Sequence, residues 1–154
     1  WGFTHFVLAL PMASTIYLRR KFDEEETLKL IQKHDAEVLV VVGRGIGAKK
    51  NLALASRLAE LIGAKLGCSR PLVEQGWLEY PHQVGQTGVS VAPRLLVSVG
   101  VSGAIQHLAG IGGAQCVVAI NSDPEAPIFG HATYSVVGDC VEILRDLVAR
   151  LENR

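Results

Sequence analysis

Apolar residues along this chain fall into two alternating patterns. Short apolar runs rich in β-branched residues occupy 37–42, 65–68, 94–101, 116–120 and 134–137, each bounded by polar or glycine-containing turns. Runs of that length predict strands, and the unbroken ones predict a parallel sheet covered on both faces. Between them the period changes to that of a helix. The segment 49–62 places Leu52, Ala55, Ala59 and Ile62 on one face and stops at Gly63, and 140–151 repeats Val141, Leu144, Val148 and Leu151. A brief helix is predicted after Ser69-Arg70-Pro71, with Ser69 as the cap and Pro71 in the first turn. A further helix is predicted over 102–108, while 76–83 and 121–126 read as loop and turn. Strand and helix in alternation give an α/β fold, a doubly wound, Rossmann-like parallel sheet.

The first residues fit this alternation less well. Residues 1–18 hold no Asp, Glu, Lys or Arg and are followed by Arg19-Arg20-Lys21. A secretion signal puts its basic residues first, and Thr4, His5, Pro11 and Ser14 interrupt the apolar run, so strands over 6–10 and 15–18 are the expectation instead. Residues 23–34 read as a helix with Asp23 at its N-cap, acidic residues in the first turn, and Lys29 and Lys33 further on. The division expected is thus 1–35 as strands and linker left from a preceding segment and 36–154 as the ligand-binding domain. Trp1 in place of an initiator methionine agrees with a C-terminal part of a longer protein.

Composition narrows the function classes. At 154 residues and 49% hydrophobic content the chain can bury one sizeable core. Lys plus Arg and Asp plus Glu each total 15, so no broad basic field is available for nucleic acid or an acidic membrane, and membrane insertion is not expected. Cys68, Cys116 and Cys140 are widely spaced with no CxxC pair, which predicts reduced, buried thiols rather than zinc or disulfides.

Candidate chemistry collects at the ends of the predicted strands. The turn Gly43-Arg44-Gly45-Ile46-Gly47 follows neither the GxGxxG nor the Walker order, and Arg44 there is either a phosphate contact or a solvated arginine on a tight turn. Ser69-Arg70 brings a second cation to the same edge. Two arginines there would repel without an anion between them, which points to a phosphate or an electron-rich ring. Gly85-Gln86-Thr87-Gly88 exposes backbone amides and a hydroxyl, and Ser102-Gly103 would aim a helix N-terminus above the sheet, as dinucleotide-binding proteins do. His107, five residues into that helix, is open to a packed or a functional role. No Ser-His-acid set, metal cluster or carboxylate pair stands at these ends, so the edge is suited to holding a ligand rather than cutting one.

At 95–121 the residues LLVSVGVSGAIQHLAGIGGAQCVVAIN closely resemble the signature of the electron transfer flavoprotein α subunit. The match runs through VGVSGAIQH, a glycine three residues on, and AIN after the next strand. It extends to GRG at 43–45, GCSR at 67–70, QVGQTG at 83–88, VAP at 91–93 and DPEAPIF at 123–129. Departures are mild: Leu96 stands where the family usually has tyrosine, Ser98 where it has alanine or threonine, and Val42 where a second glycine often precedes the arginine turn.

The resemblance implies the C-terminal FAD-binding domain of that subunit, on a sheet of the kind shared with deoxyhypusine synthase and sirtuins. It implies that Arg44, Ser69, Arg70, Val84, Gly85, Gln86, Thr87, Ser102, Gly103, Ala104, Ile105, Gln106, His107, Asn121, Asp139 and Cys140 line the FAD site. Ser69, Ser102 and Gln106 would serve the pyrophosphate and ribityl chain, Asn121, Asp139 and Cys140 the adenosine, and Arg70, Thr87 and His107 the isoalloxazine. Donors or cations around the ring favour the negative charge it gains with an electron. The protein would then be an electron carrier, not an enzyme. It would form a heterodimer with a β subunit that closes the pocket over an exposed apolar surface. It would take electrons from flavin dehydrogenases and pass them to a quinone-linked or other acceptor oxidoreductase. The compartment would be the cytoplasm of a prokaryote or the mitochondrial matrix of a eukaryote. The alternative on the same topology is an NAD-dependent deacylase- or synthase-like enzyme.

Overall fold

The computed structural model describes residues 38–153. The strands expected over 6–10 and 15–18 and the helix over 23–34 lie outside the described residues. Five strands, β1 (Val38–Val42), β2 (Lys65–Cys68), β3 (Leu95–Val99), β4 (Cys116–Asn121) and β5 (Tyr134–Val137), form one sheet. Their order is β2-β1-β3-β4-β5 and every neighbouring pair is parallel. Four helices connect or follow them: α1 (Leu52–Leu61), α2 (Arg70–Glu74), α3 (Ile105–Ile111) and α4 (Cys140–Glu152). The α/β, doubly wound expectation holds, and the winding reverses between β1 and β3, where such sheets open a crevice at their carboxyl ends.

Strand alternation divides the core in two. Val38, Val40, Val42, Val97, Val99, Val118, Ile120 and Val136 pack against α1 and α4 on one face. Val41, Leu96, Val117 and Ala119 face the other way, where Val84, Ile111 and Ile128 cover them. Helix α1 buries Leu52, Ala55, Leu58 and Ala59, with Ile62 at its C-cap only partly covered. Helix α4 buries Leu144 and Val148 as predicted, with Leu151 partly covered, and differs at its start. Asp139 caps it, Cys140 rather than Val141 goes under the sheet, and the Cys140 Sγ lies 3.6 Å from the Ile120 carbonyl.

The helix predicted over 102–108 begins three residues later, at Ile105. Gly103 has φ 89°, outside the helical region, and a Cβ there would lie 2.7 Å from the Ile128 Cα. The Ile128 amide also donates to the Ser102 carbonyl at 3.0 Å, which ties residues 102–104, outside the helix, to the 3-10 turn Pro127–His131.

Ser98 sits in register between Val41 and Ala119 on the second face, and its buried Oγ has no hydrogen-bond partner. A hydroxyl stripped of water without a partner costs about 1 kcal/mol or more. Ser98→Ala is therefore expected to raise stability by about 1 kcal/mol, read as a higher urea midpoint; an unchanged or lower midpoint would show that the hydroxyl is satisfied in solution. Among the described residues, no helix is long and apolar enough to cross a membrane.

Candidate functional site

The carbonyls that end β1, β2, β3 and β4 accept from neighbouring loops, and these bonds tie the loops into one continuous edge. Gly43 N donates to Val99 O at 2.8 Å and Gly45 N to Gly100 O at 2.9 Å. Gly100 N donates to Ile120 O at 2.8 Å, Gly138 N to Asn121 O at 3.0 Å and Ser69 N to Val42 O at 2.9 Å. The turn after β1 and the loop after β3 are in direct backbone contact: a Cβ on Gly45 would lie 2.6 Å from the Gly100 Cα. Gly43 and Gly45 thus serve the close approach of two backbone segments at the winding reversal. Arg44, first in the 3-10 turn Arg44–Ile46, stays exposed on top of it.

At the β2 end, Ser69 is buried at the N-cap of α2 but its side chain makes no capping bond. Arg70 follows it, exposed, with its Nε on Glu74 Oε1 at 2.7 Å. The expectation that Arg44 and Arg70 need an anion between them is corrected by this pair, because Glu74 already supplies Arg70 with a counter-charge one helical turn away.

From β2 the chain crosses the second face to α3. Val84 N donates to Cys68 O at 2.8 Å, and Gln86 N donates to Gln106 O at 2.7 Å. His107, buried in the first turn of α3, places its Nδ1 3.0 Å from the Val84 carbonyl. A carbonyl only accepts, so Nδ1 carries the hydrogen and the neutral ring presents a lone pair at Nε2. That Nε2 is buried and has no partner. Burial holds the imidazole pKa below its ordinary value, against the opposing pull of the Val84 carbonyl. In its neutral form His107 therefore offers an acceptor at Nε2, whereas the resemblance implied a donor or cation at the ring.

The rim above these groups is open. Gln86, Thr87, Ser102, Ala104 and Gln106 are exposed, and Ile105 is 80% exposed, while Val84, Gly85 and Gly103 are buried beneath them. Tyr80 and Val89 are also exposed large apolar residues of the same loop region. At the other end of the edge, Asn121 is buried and both ends of its amide are engaged, Nδ2 donating to Val101 O at 2.8 Å and Oδ1 accepting from Asp123 N at 3.0 Å. Asp139 Oδ1 accepts from Val141 N and Glu142 N, both at 2.9 Å, as the cap of α4. Burial pushes the Cys68 thiol up to about 11. Burial and the neighbouring Asp139 charge likewise push the Cys140 thiol up to about 11, so both stay protonated packing groups.

Residues 32–112, just over half of the chain, match the family model described as the electron transfer flavoprotein FAD-binding domain. The chain belongs to that family. Two relatives of this electron transfer flavoprotein domain are proteins named FixB. That of Bradyrhizobium diazoefficiens is 45% identical over 119 residues, covering 77% of this chain and 32% of the relative. That of Escherichia coli O7:K1 is 42% identical over 151 residues, covering 97% of this chain and 48% of the relative. The chain spans about a third to a half of the length of these curated relatives. The thiamine diphosphate-dependent 4-hydroxybenzoylformate decarboxylase of Rhodococcus jostii RHA1 superposes with TM-score 0.55 at 17% identity, over 85% of this chain and 27% of that one, a likeness of fold alone.

Gln83 is the polar residue that sequence inspection passed over. It is 4% exposed, and its Nε2 donates to Thr87 Oγ1 at 2.9 Å. The signal was its place at the head of QVGQTG, four residues before the threonine.

Proposed function

We propose that residues 36–154 hold FAD along the carboxyl edge of the sheet. The protein would act as the α subunit of an electron carrier, taking electrons from flavin dehydrogenases and passing them to an acceptor oxidoreductase. The observation that carries this proposal is linear order. Arg70, Thr87 and His107 gather at the β2 and α3 side, Ser102, Gly103 and Gln106 above β3, and Asn121, Asp139 and Cys140 at the ends of β4 and β5. Ring, pyrophosphate and adenosine follow one another in the same order along an extended dinucleotide. Strands about 4.8 Å apart make the edge long enough for one.

The residues fit the group. The unpartnered Nε2 of His107 is a buried polar atom in want of a ligand hydrogen, and Thr87, Ser102 and Gln106 offer exposed donors above it. FAD, when bound, supplies one-electron and two-electron redox chemistry of its ring. The chain's own residues bind and orient. Arg70 brings positive charge to the ring side with its terminal nitrogens outside the Glu74 contact, and Thr87 offers a hydroxyl. His107 accepts at Nε2, or donates there once protonated. Asn121 acts through the backbone it braces.

The exposed Ile105, Tyr80 and Val89 give the rim an apolar character that supports a covering partner, for which an electron transfer flavoprotein β subunit is the proposed occupant. The protonated, packed Cys68 and Cys140 support a reducing compartment, cytoplasmic in a prokaryote or the mitochondrial matrix in a eukaryote.

The test is a titration of the complete subunit assembled with its β partner. FAD uptake with flavin absorbance, undisturbed by excess NAD, is expected; displacement of FAD by NAD, or no uptake, would overturn the proposal in favour of a nicotinamide enzyme or a packing domain.

A further inference from the structure

Resting on the ring-side placement of Thr87 proposed above, we infer that Gln83 is a positioning residue that fixes Thr87 as an outward hydrogen-bond donor. A threonine hydroxyl has one hydrogen and two acceptor lone pairs, and its rotor takes whichever direction its surroundings favour. Here the Gln83 Nε2 donates to Thr87 Oγ1 at 2.9 Å. One lone pair is thereby engaged from the buried side, and the hydroxyl hydrogen is left for a partner outside the loop.

The loop is built to hold this arrangement. Gln83 is anchored through its own backbone on both sides: its amide donates to Tyr80 O at 2.9 Å and its carbonyl accepts from Val89 N at 2.8 Å. It also bridges to Cys68 at the end of β2, so its side chain starts from the sheet rather than from a free loop. Gly88 lets the turn fold back over Gln83, since a Cβ on Gly88 would lie 2.9 Å from the Gln83 carbonyl carbon. From the solvent side the Tyr80 hydroxyl donates to the Thr87 carbonyl at 2.6 Å. Thr87 is thus held at its main chain by Tyr80 and at its side chain by Gln83, while remaining exposed itself.

A buried amide that donates to an exposed hydroxyl does little for packing that an apolar side chain of equal length would not do. Its distinctive effect is on the direction of the hydroxyl hydrogen. Toward an acceptor atom of the flavin ring, that hydrogen favours the electron-rich state and raises the midpoint potential.

The experiment measures the midpoint potential of bound flavin in the complete αβ complex for wild type, Thr87→Val, Gln83→Leu and the double variant, with melting temperature alongside. Gln83→Met, unbranched and close to glutamine in length, serves the same comparison if the leucine variant does not fold. Thr87→Val and Gln83→Leu are each expected to lower the one-electron equilibrium constant about tenfold, equal to about 59 mV, and the double variant to match Thr87→Val alone. A Gln83 effect that persists undiminished in the Thr87→Val background, or no Gln83 effect where Thr87→Val has one, would sink the inference and leave the FAD site standing. A Thr87→Val potential equal to wild type would overturn the ring-side placement of Thr87, and this inference with it.

Discussion

Gly100→Ala is expected to destabilise the protein by about 3–4 kcal/mol, the sum of left-handed backbone strain and an overpacked backbone contact. Gly100 has φ 64°, and an added Cβ would lie 2.7 Å from the Gly45 Cα. The three nearest atoms, Gly45 Cα, Gly45 C and Ile46 N, are all main chain, so no side chain can rotate away. The two loops concerned are pinned by Gly43 to Val99 and Gly45 to Gly100 hydrogen bonds, and separating them breaks the floor of the site. A loss of that size is a large share of the about 5–15 kcal/mol that holds a domain folded. Gly47→Ala provides the control. Its φ is 78°, but nothing stands within 4 Å of an added Cβ, so only backbone strain of about 1 kcal/mol is expected. Urea midpoints of the two variants decide the matter; equal losses would mean that the loop contact is not tight in solution.

Acid should destabilise the protein through His107, and His107→Asn should remove that part of the response. Burial lowers the folded-state pKa of His107 below its ordinary 6.5. Above that ordinary value the imidazole is neutral in folded and unfolded chains alike. As pH falls below it, the unfolded chain takes up a proton that the folded chain resists. Stability is therefore present above about 6.5 and is lost as pH drops toward the lowered folded value. Asparagine can keep a donation to the Val84 carbonyl while offering nothing that titrates. Melting temperatures from neutral pH into mild acid should fall less steeply for His107→Asn than for wild type; parallel curves would show that the ring is not buried neutral. Flavin binding has its own consequence: a ligand hydrogen on Nε2 would stabilise the neutral ring further and steepen the response of the loaded protein.

The strands were legible because parallel strands buried on both faces carry their signal locally. Lys65–Cys68 and Tyr134–Val137 have the predicted bounds, and Leu95–Val99 lies within the predicted 94–101. The start of α3 was not legible. Ser102 looks like an N-cap, and what overrides it is Ile128, more than twenty residues away, whose backbone amide holds the Ser102 carbonyl outside the helix. The arginines are a different case. The strand ends placed Arg44 and Arg70 at one edge correctly, but the counter-charge is Glu74, four residues on in the brief helix that the sequence predicts, a pairing the repulsion argument left out. His107 shows the opposite case. Packed and functional roles were both open from sequence, and the structure shows the packed one, with one nitrogen tied to the loop and the other left bare.

The sheet order also dictates when this domain can begin to hold together as it is made. The central partner of β1 is β3, and all of residues 43–94 lie between them in the chain. A nascent chain that stops short of Leu95 has only the short β2 to pair with β1, leaving the other edge of an apolar strand unsatisfied. Pairings so distant in sequence form slowly and expose their edges meanwhile. Translation must therefore carry β1 through about half of the domain before its middle closes, which makes the interval before β3 emerges the time when a chaperone would matter most.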